Sequence, residues 1–311
     1  MNMKKSEWVL LAVTLCWGAS YLLLKVALGA VNEFMLIGLR FGFAFLVSAV
    51  FLFPRLRKAT WKTVKYAALQ GGLLFAIGIS VTFGLKTTTT ANASFLISLT
   101  VIFVPILSAL FLRQRMKPQL KAGIAFAIAG IGLMTLKIPL SMQPGDLLCI
   151  LAALLNATYV LFTSKAAKSV DSINLGVLQL AFAGGYGLLF ATMAGQATLP
   201  ATSDGWAALL ALSVIGTAFC YIAQPAAQKH TTPSRVGLIF TMEPVFAALF
   251  GFLLAGELLK SQGYAGAALV LTGVLVSEYG SKWYAALRKK RLPTAAAEVA
   301  SLNERTHGGG A

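Results

Sequence analysis

The sequence predicts an all-α membrane protein with ten transmembrane helices, arranged as two inverted five-helix repeats. Three observations lead to this prediction. Hydrophobic residues make up 58% and charged residues 12% of the 311-residue chain, whereas soluble proteins average about 45–50% and about 25%. The chain also contains an internal duplication, and its Lys and Arg residues are distributed very unequally among the loops.

The duplication joins residues 88–133 to residues 231–276, which align without a gap at an offset of 143 positions. Chance supplies roughly half of their identities in such Leu/Ala/Gly-rich sequence, so the shared order of features is the stronger evidence. Both copies have a Thr pair, an apolar run, a polar turn, a Gln, an Ala-Gly pair and a second apolar run. Since the offset is nearly half of the chain, we expect a first repeat at residues 1–139, a second at 140–284, and a basic, disordered cytoplasmic tail at 285–311.

Ten apolar runs of close to the roughly 20 residues that a bilayer requires predict the helices. They cover residues 8–28, 34–53, 66–85, 92–112, 120–138, 146–163, 173–194, 206–227, 234–255 and 264–284. A cleaved signal peptide is the alternative for the first run, but its length, Lys25 near its end and the nine runs that follow favour a membrane span. The three cysteines lie inside apolar runs without metal-ligand spacing, so neither disulfide nor metal site is expected.

The loop charges predict the topology. With the N-terminus in the cytoplasm, 21 Lys and Arg residues fall on the cytoplasmic side and three outside, which is a strong positive-inside bias. Each first-half loop lies on the opposite side of the membrane from its second-half counterpart, and in every pair the cytoplasmic loop has more Lys and Arg residues. This inversion is expected because an odd number of helices per half, five, inserts the second repeat upside down. The net charge of +16 is therefore explained by topology, and no nucleic-acid partner is needed.

An inverted repeat is how many secondary transporters build two interconvertible faces around a midplane site. The alternative class is an integral-membrane enzyme, which needs a carboxylate cluster, a metal set or a nucleophile with its base. The chain has ten acids and two histidines, mostly at helix ends, in loops or in the tail, so transport without a cofactor is favoured.

Four stretches resemble the EamA-type branch of the drug/metabolite transporter superfamily. They are CWGASYLLLKVAL (16–28), GLKTTTTANASFLISLTVIFVPILSAL (84–110), TTPSRVGLIFTMEPVFAALFGFLLAGE (231–257) and AGAALVLTGV (265–274). The resemblance implies a bacterial inner-membrane carrier of amino acids or other small metabolites. One departure is Gln114, where similar proteins, and this chain's own Glu257, have Glu.

Glu243 is the candidate for coupling transport to protons. It lies about nine residues, or roughly 13 Å, into its predicted helix, nearly halfway through the bilayer core. Pro244 follows it and distorts the helix, and Pro105 and Pro225 are two further predicted kinks. The alternative role for Glu243 is a neutral carboxyl that only fixes the kink.

Further polar residues within apolar runs are candidates for the substrate pathway, because buried charges and amides in membranes mark such pathways or join helices. Arg40 and Lys25 could attract a carboxylate, although Lys25 could also extend to the headgroups. The remaining candidates are Trp17, Ser20, Tyr21, Asn92, Asn156, Tyr159 and Gln179.

The expected function is alternating-access transport of a small metabolite, with export favoured, by a multi-pass protein with both termini in the cytoplasm. Two alternatives stay open, the organic-phosphate or nucleotide-sugar exchange known in the same superfamily and, less favoured, an intramembrane enzyme. The expected partners are the lipid bilayer, a small-molecule substrate and protons. The sequence is compatible with both a monomer and a homodimer.

Overall fold

The structure is a computed structural model that describes residues 1–84, 86–87, 96–113, 116–135, 143–255 and 261–277. These residues form ten helical segments and no strand. They are α1 (Met3–Ala30), α2 (Glu33–Leu56), α3 (Trp61–Gly84), α4 (Leu96–Leu112), α5 (Pro118–Thr135), α6 (Pro144–Ser169), α7 (Ser172–Met193), α8 (Ser203–Gln228), α9 (Pro233–Leu254) and α10 (Ser261–Ser277). Each coincides with one predicted span, and the predicted tail, residues 285–311, lies outside the described residues.

Six of these helices, α2, α3, α6, α7, α8 and α9, are long and apolar enough to cross a membrane, and α4, α5 and α10 are shorter apolar helices. Large apolar side chains cover the outer surface, including Val50, Phe51, Leu110, Phe111 and Leu254, each at least 68% exposed. A soluble protein rarely exposes so continuous an apolar surface. The chain is a multi-pass membrane protein.

Several helices begin earlier than the apolar runs predict, because polar capping residues extend them. The side chain of Asn2 accepts a hydrogen bond from the Lys5 amide at 3.0 Å, and Asp171 caps α7 by accepting one from Asn174 at 2.8 Å. Pro144 and Pro233 are the first residues of α6 and α9. An N–H at this position has no acceptor within the helix, so its absence in proline does not destabilise the helix.

Two helices are interrupted at corresponding positions of the duplication. A turn at Leu99 interrupts α4 just before Thr100, and a turn at Thr241 and Met242 divides α9 just before Glu243. Leu99 and Met242, like Thr100 and Glu243, are related by the offset of 143. The distortion expected at Pro244 is therefore a tight turn at Thr241 and Met242, whose amides bond to the carbonyls of Leu238 and Ile239 three residues earlier.

Helices α2 and α7 pack closely and run antiparallel. A Cβ added to Gly187 would lie 2.4 Å from the amide nitrogen of Gly38, and one added to Gly184 would lie 2.7 Å from that of Gly42. At the end of α2, Arg55 pairs with Asp171 before the start of α7 at 2.7 Å. Only glycine permits such an approach of two helix backbones.

Helices α5 and α10 meet through a reciprocal glycine contact. A Cβ added to Gly123 would lie 2.5 Å from the carbonyl oxygen of Gly273, and a Cβ added to Gly273 would lie 2.5 Å from the carbonyl oxygen of Gly123. A Cβ added to Gly130 would lie 2.5 Å from the carbonyl oxygen of Gly266. Gly123 and Gly266 are related by the offset of 143, as are Gly130 and Gly273. The contact between Gly123 and Gly273 therefore corresponds, in the other repeat, to the contact between Gly266 and Gly130, and both lie between the same two helices.

Candidate functional site

A cavity of about 170 Å³ lies among helices of both halves of the chain. This volume is on the order of ten times the 10–15 Å³ that one water molecule requires, so a small solute fits. The described residues that line it are Trp17, Ser20, Leu24, Leu36, Ile37, Arg40, Phe41, Leu74, Ile77, Gly78, Val81, Thr82, Ile97, Asn156, Leu212, Tyr221 and Glu243. The wall is mostly apolar, with a few polar groups, which is typical of a small-molecule site.

Arg40 on α2 brings a cation to this cavity. Its Nε donates a hydrogen bond to Thr217 Oγ1 at 2.6 Å, and its Nη2 lies 3.5 Å from the Gly216 carbonyl oxygen. The guanidinium carbon also lies 5.5 Å from the centre of the Phe41 ring. Thr217 and Gly216 of α8, together with the adjacent Phe41 ring, therefore orient the Arg40 guanidinium.

The part of α8 that holds Arg40 is π-helical, from Leu212 to Phe219. In a π-helix the hydrogen bonds run from residue i to residue i+5, so the backbone register differs from that of an α-helix. The Gly216 carbonyl here accepts a hydrogen bond from Trp17 Nε1 at 3.2 Å. Such bulges are frequent at functional sites.

Glu243 brings a carboxyl group to the same cavity. It is the first residue of the second part of α9, immediately after the break. A second, smaller cavity of about 30 Å³ is also lined by Glu243, together with its counterpart Thr100 and with Asn156. Asn156 Nδ2 on α6 lies 3.5 Å from Thr100 Oγ1. Residues on both sides of the interruptions in α4 and α9 line this smaller cavity.

An aromatic cluster surrounds Tyr221 at the cavity wall. Its ring lies 5.5 Å from the rings of Trp17 and Phe41 and 6.3 Å from that of Tyr159, and Trp17 packs edge-on against Phe240 at 5.0 Å. These separations are those of favourable aromatic pairs.

The structure brings five of the expected site residues to one cavity, namely Trp17, Ser20, Arg40, Asn156 and Glu243. Tyr159 and Gln179 are fully buried behind it. The Tyr159 hydroxyl donates to Gln179 Oε1 at 3.0 Å, and Gln179 Nε2 donates to the Tyr221 carbonyl at 2.8 Å. Both residues thus support the cavity wall rather than line it.

The remaining expected residues fall elsewhere. The side chains of Tyr21 and Lys25, and Asn92 as a whole, lie outside the described residues. Pro105 and Pro225 lie inside α4 and α8.

Sequence reasoning missed Phe41, Gly216, Thr217 and Tyr221. The spacing of Thr217, Tyr221 and Gln224 on one apolar run is a polar stripe that could have identified two of them.

A family model for the EamA-like transporter family matches residues 4–136 and again residues 143–279. Among curated proteins, the chain is 29% identical over 289 residues to an uncharacterized transporter of Archaeoglobus fulgidus, covering 88% of this chain and 98% of that protein. It is 27% identical to the uncharacterized inner membrane transporter YedA of Escherichia coli K12, covering 86% of this chain and 89% of that protein. A solved crystal structure superposes with a TM-score of 0.77 at 19% identity, covering 89% of this chain and 97% of that one, which shows a common fold.

Proposed function

Because the chain belongs to the EamA-like transporter family, we propose that it is a secondary transporter that moves a small metabolite by alternating access. The substrate class is an amino acid or a related compound, the direction is export, and the membrane is the inner membrane of a bacterium. The similarity to YedA, which is named as an inner membrane transporter, supports this location.

The observation that carries the proposal is the meeting of Arg40 and Glu243 at one mostly apolar cavity between interrupted helices. Helices broken at corresponding positions of two repeats are the usual place of a substrate site in secondary transporters. A cation and an acid in one aromatic-walled cavity suit a solute with a carboxylate, an ammonium group and a small side chain.

The packing supports an inverted repeat. Helices α2 and α7 occupy corresponding places in the two halves and run antiparallel, and the α5 and α10 contact is unchanged when residues are exchanged for their counterparts. Reciprocal contacts of this kind are expected across a two-fold axis. An axis relating antiparallel helices lies in the membrane plane, as alternating access by an inverted repeat requires.

The alternative, exchange of organic phosphates or nucleotide sugars, is less well supported. Arg40 is the only basic residue among the described residues that line the cavity, whereas a phosphate dianion would be better matched by several cations. A single guanidinium matches a single carboxylate.

A growth-inhibition and efflux screen tests the proposal. Cells overproducing the protein are challenged with toxic amino-acid analogues, and the release of preloaded labelled amino acids is measured. We expect resistance to at least one analogue and faster release of the corresponding amino acid than in cells producing Arg40→Ala at equal membrane abundance. Equal release from both strains for every compound would contradict the proposal.

A further inference from the structure

Buried polar side chains continue from the Tyr221 end of the cavity toward the far ends of α6 and α8. We call this set the amide seam, and its members are Gln70, Thr163, Ser164, Gln179, Gln224 and Gln228. All six are at most 3% exposed. On α8, residues 221, 224 and 228 are spaced by three and four positions, so they share one helix face over about 10 Å.

Hydrogen bonds between side chains of the amide seam join α3 to α6 and α6 to α8. Gln70 Nε2 on α3 donates to Thr163 Oγ1 on α6 at 2.5 Å, and Ser164 Oγ on α6 lies 3.3 Å from Gln228 Oε1 on α8. Gln179 is bonded through both ends of its amide, to Tyr159 and to the Tyr221 carbonyl. None of the six seam residues is among the described residues that line the cavity, whereas Tyr221 lines it and its carbonyl oxygen accepts the bond from Gln179.

The seam is nevertheless incompletely bonded. Within the described part of the chain, neither amide atom of Gln224 has a hydrogen-bond partner, and Gln70 Oε1 and Gln228 Nε2 also have none. Unbonded buried amides are costly, and an apolar side chain of similar size would make the sealed helix contact more stable. Gln224 therefore does not stabilise this conformation of the protein, and the presence of a glutamine at this position needs another reason.

We propose that the amide seam is the closed half of the substrate route, which opens when the protein adopts its opposite conformation. The proposal rests on the transport function proposed above. In the opposite conformation the rings around Tyr221 move apart, and Gln70, Gln224 and Gln228 become exposed to water. An amide both donates and accepts hydrogen bonds, so these three can contact the ammonium, carboxylate or hydroxyl groups of a passing solute.

The first test compares two equally buried glutamines on stability in detergent. Gln224→Leu removes an unbonded amide, so we expect the Tm to rise by about 2–4 °C. Gln179→Leu is the matched control, because it breaks two hydrogen bonds and is expected to lower the Tm. A fall of the Tm in Gln224→Leu as large as that in Gln179→Leu would overturn the proposal.

The second test measures access of a charged, membrane-impermeant thiol reagent in inside-out vesicles. Gln224→Cys and the control Ala227→Cys, a fully buried core position on the same helix, are placed in a chain whose Cys16, Cys149 and Cys220 are replaced by Ala. We expect Gln224→Cys to react at least tenfold faster, because only the seam opens to water. Equal rates, or no reaction of Gln224→Cys, would overturn the proposal.

Neither readout requires a known solute. A failure to find a transported amino acid would count against the proposed function and leave the seam measurements valid. A negative seam result would leave the transport proposal standing.

Discussion

Arg40 and Glu243 are the two formal charges among the described residues that line the cavity. A charged side chain in the bilayer centre costs at least about 2.5–3.5 kcal/mol unless protein groups or water stabilise it. Thr217 and the π-helical backbone of α8 do this for Arg40. The planar guanidinium carries five N–H donors in a fork whose geometry matches a carboxylate.

Arg40→Ala should impair transport of carboxylate-bearing solutes more than it impairs folding. A charge-assisted hydrogen bond contributes about 1.5–3 kcal/mol, so we expect roughly a tenfold or larger rise in the solute concentration for half-maximal transport. Arg40→Lys should restore little, because a lysine cannot bond Thr217 and a carboxylate in the same plane. Uptake into proteoliposomes is the measurement, with Val50→Ala, at 76% exposure on the outer surface, as the neutral control. Unchanged affinity in Arg40→Ala would assign Arg40 a structural role.

Glu243→Gln should uncouple transport from protons. The N-terminal end of a helix favours a negative charge, whereas low dielectric disfavours it, so a carboxyl at the break in α9 can change protonation as the cavity opens. The variant keeps the shape and hydrogen bonding of the side chain but cannot titrate. In proteoliposomes it should exchange solute down a gradient and fail to accumulate it in response to a pH gradient. Undiminished proton-driven accumulation would show that coupling lies elsewhere.

The charges and amides at the cavity could be predicted because membrane interiors penalise polar groups that have no role. Arg40, Glu243 and Asn156 were found in this way. Gly216 could not be found, since its carbonyl reaches Trp17 through the π-helical register of α8, and no residue pattern in that segment indicates a π-helix.

At the scale of helices, α7 carries two adjacent glycines in opposite environments. A Cβ on Gly184 would lie 2.7 Å from the Gly42 amide nitrogen, whereas nothing lies within 4 Å of one on Gly185. Gly184→Ala should therefore destabilise by about 1–3 kcal/mol through overpacking, and Gly185→Ala should stabilise by up to about 1 kcal/mol through helix propensity. Thermal unfolding in detergent measures both. Equal effects of the two substitutions would show that α2 and α7 are not in backbone contact there.

The ion pair between α2 and α7 gives a prediction for pH. The hydrogen bond from Arg55 lowers the pKa of Asp171, so the pair stabilises the fold above the ordinary pKa of about 3.9 and is lost as the pH falls through the lower folded value. Since the two side chains are 51% and 38% exposed, the effect is below about 1 kcal/mol. The Tm difference between wild type and Asp171→Asn should stay constant from about pH 8 to pH 5 and shrink below about pH 4. Asn retains the helix cap, so a constant difference at every pH would contradict this.

The helices themselves were predictable because each apolar run is long enough to span a bilayer. Their ends were not, since Asn2 and Asp171 extend helices beyond the apolar runs. The break in α9 falls at Thr241 and Met242 rather than at Pro244. A proline disfavours the helical conformation of the residue before it, but the position of a break depends on neighbouring helices that a single run does not reveal.

For the whole molecule, the relative directions of α2, α3 and α7 follow from the ion pairs at the two ends of α2. Glu33, at the start of α2, pairs with Lys86 after α3 at 2.7 Å, and Arg55, at the other end of α2, pairs with Asp171 before α7. Glu33 and Arg55 are 22 positions apart in α2, so the two pairs lie about 33 Å apart along its axis. Helices α2 and α7 therefore point in opposite directions, as corresponding helices of an inverted repeat should.

The proposed inverted repeat makes a direct prediction for two corresponding lysines. Lys86 and Lys229 are related by the offset of 143 and follow the ends of α3 and α8. If the halves are inverted, a cysteine at position 86 reacts with an impermeant thiol reagent in intact spheroplasts, whereas one at position 229 reacts only in inside-out vesicles. Lys86→Cys and Lys229→Cys are made in the chain without native cysteines, and Lys58→Cys, in the strongly basic loop after α2, is the cytoplasmic control. Labelling of positions 86 and 229 from the same side would rule out the inverted repeat, and with it alternating access through exchange of the two halves.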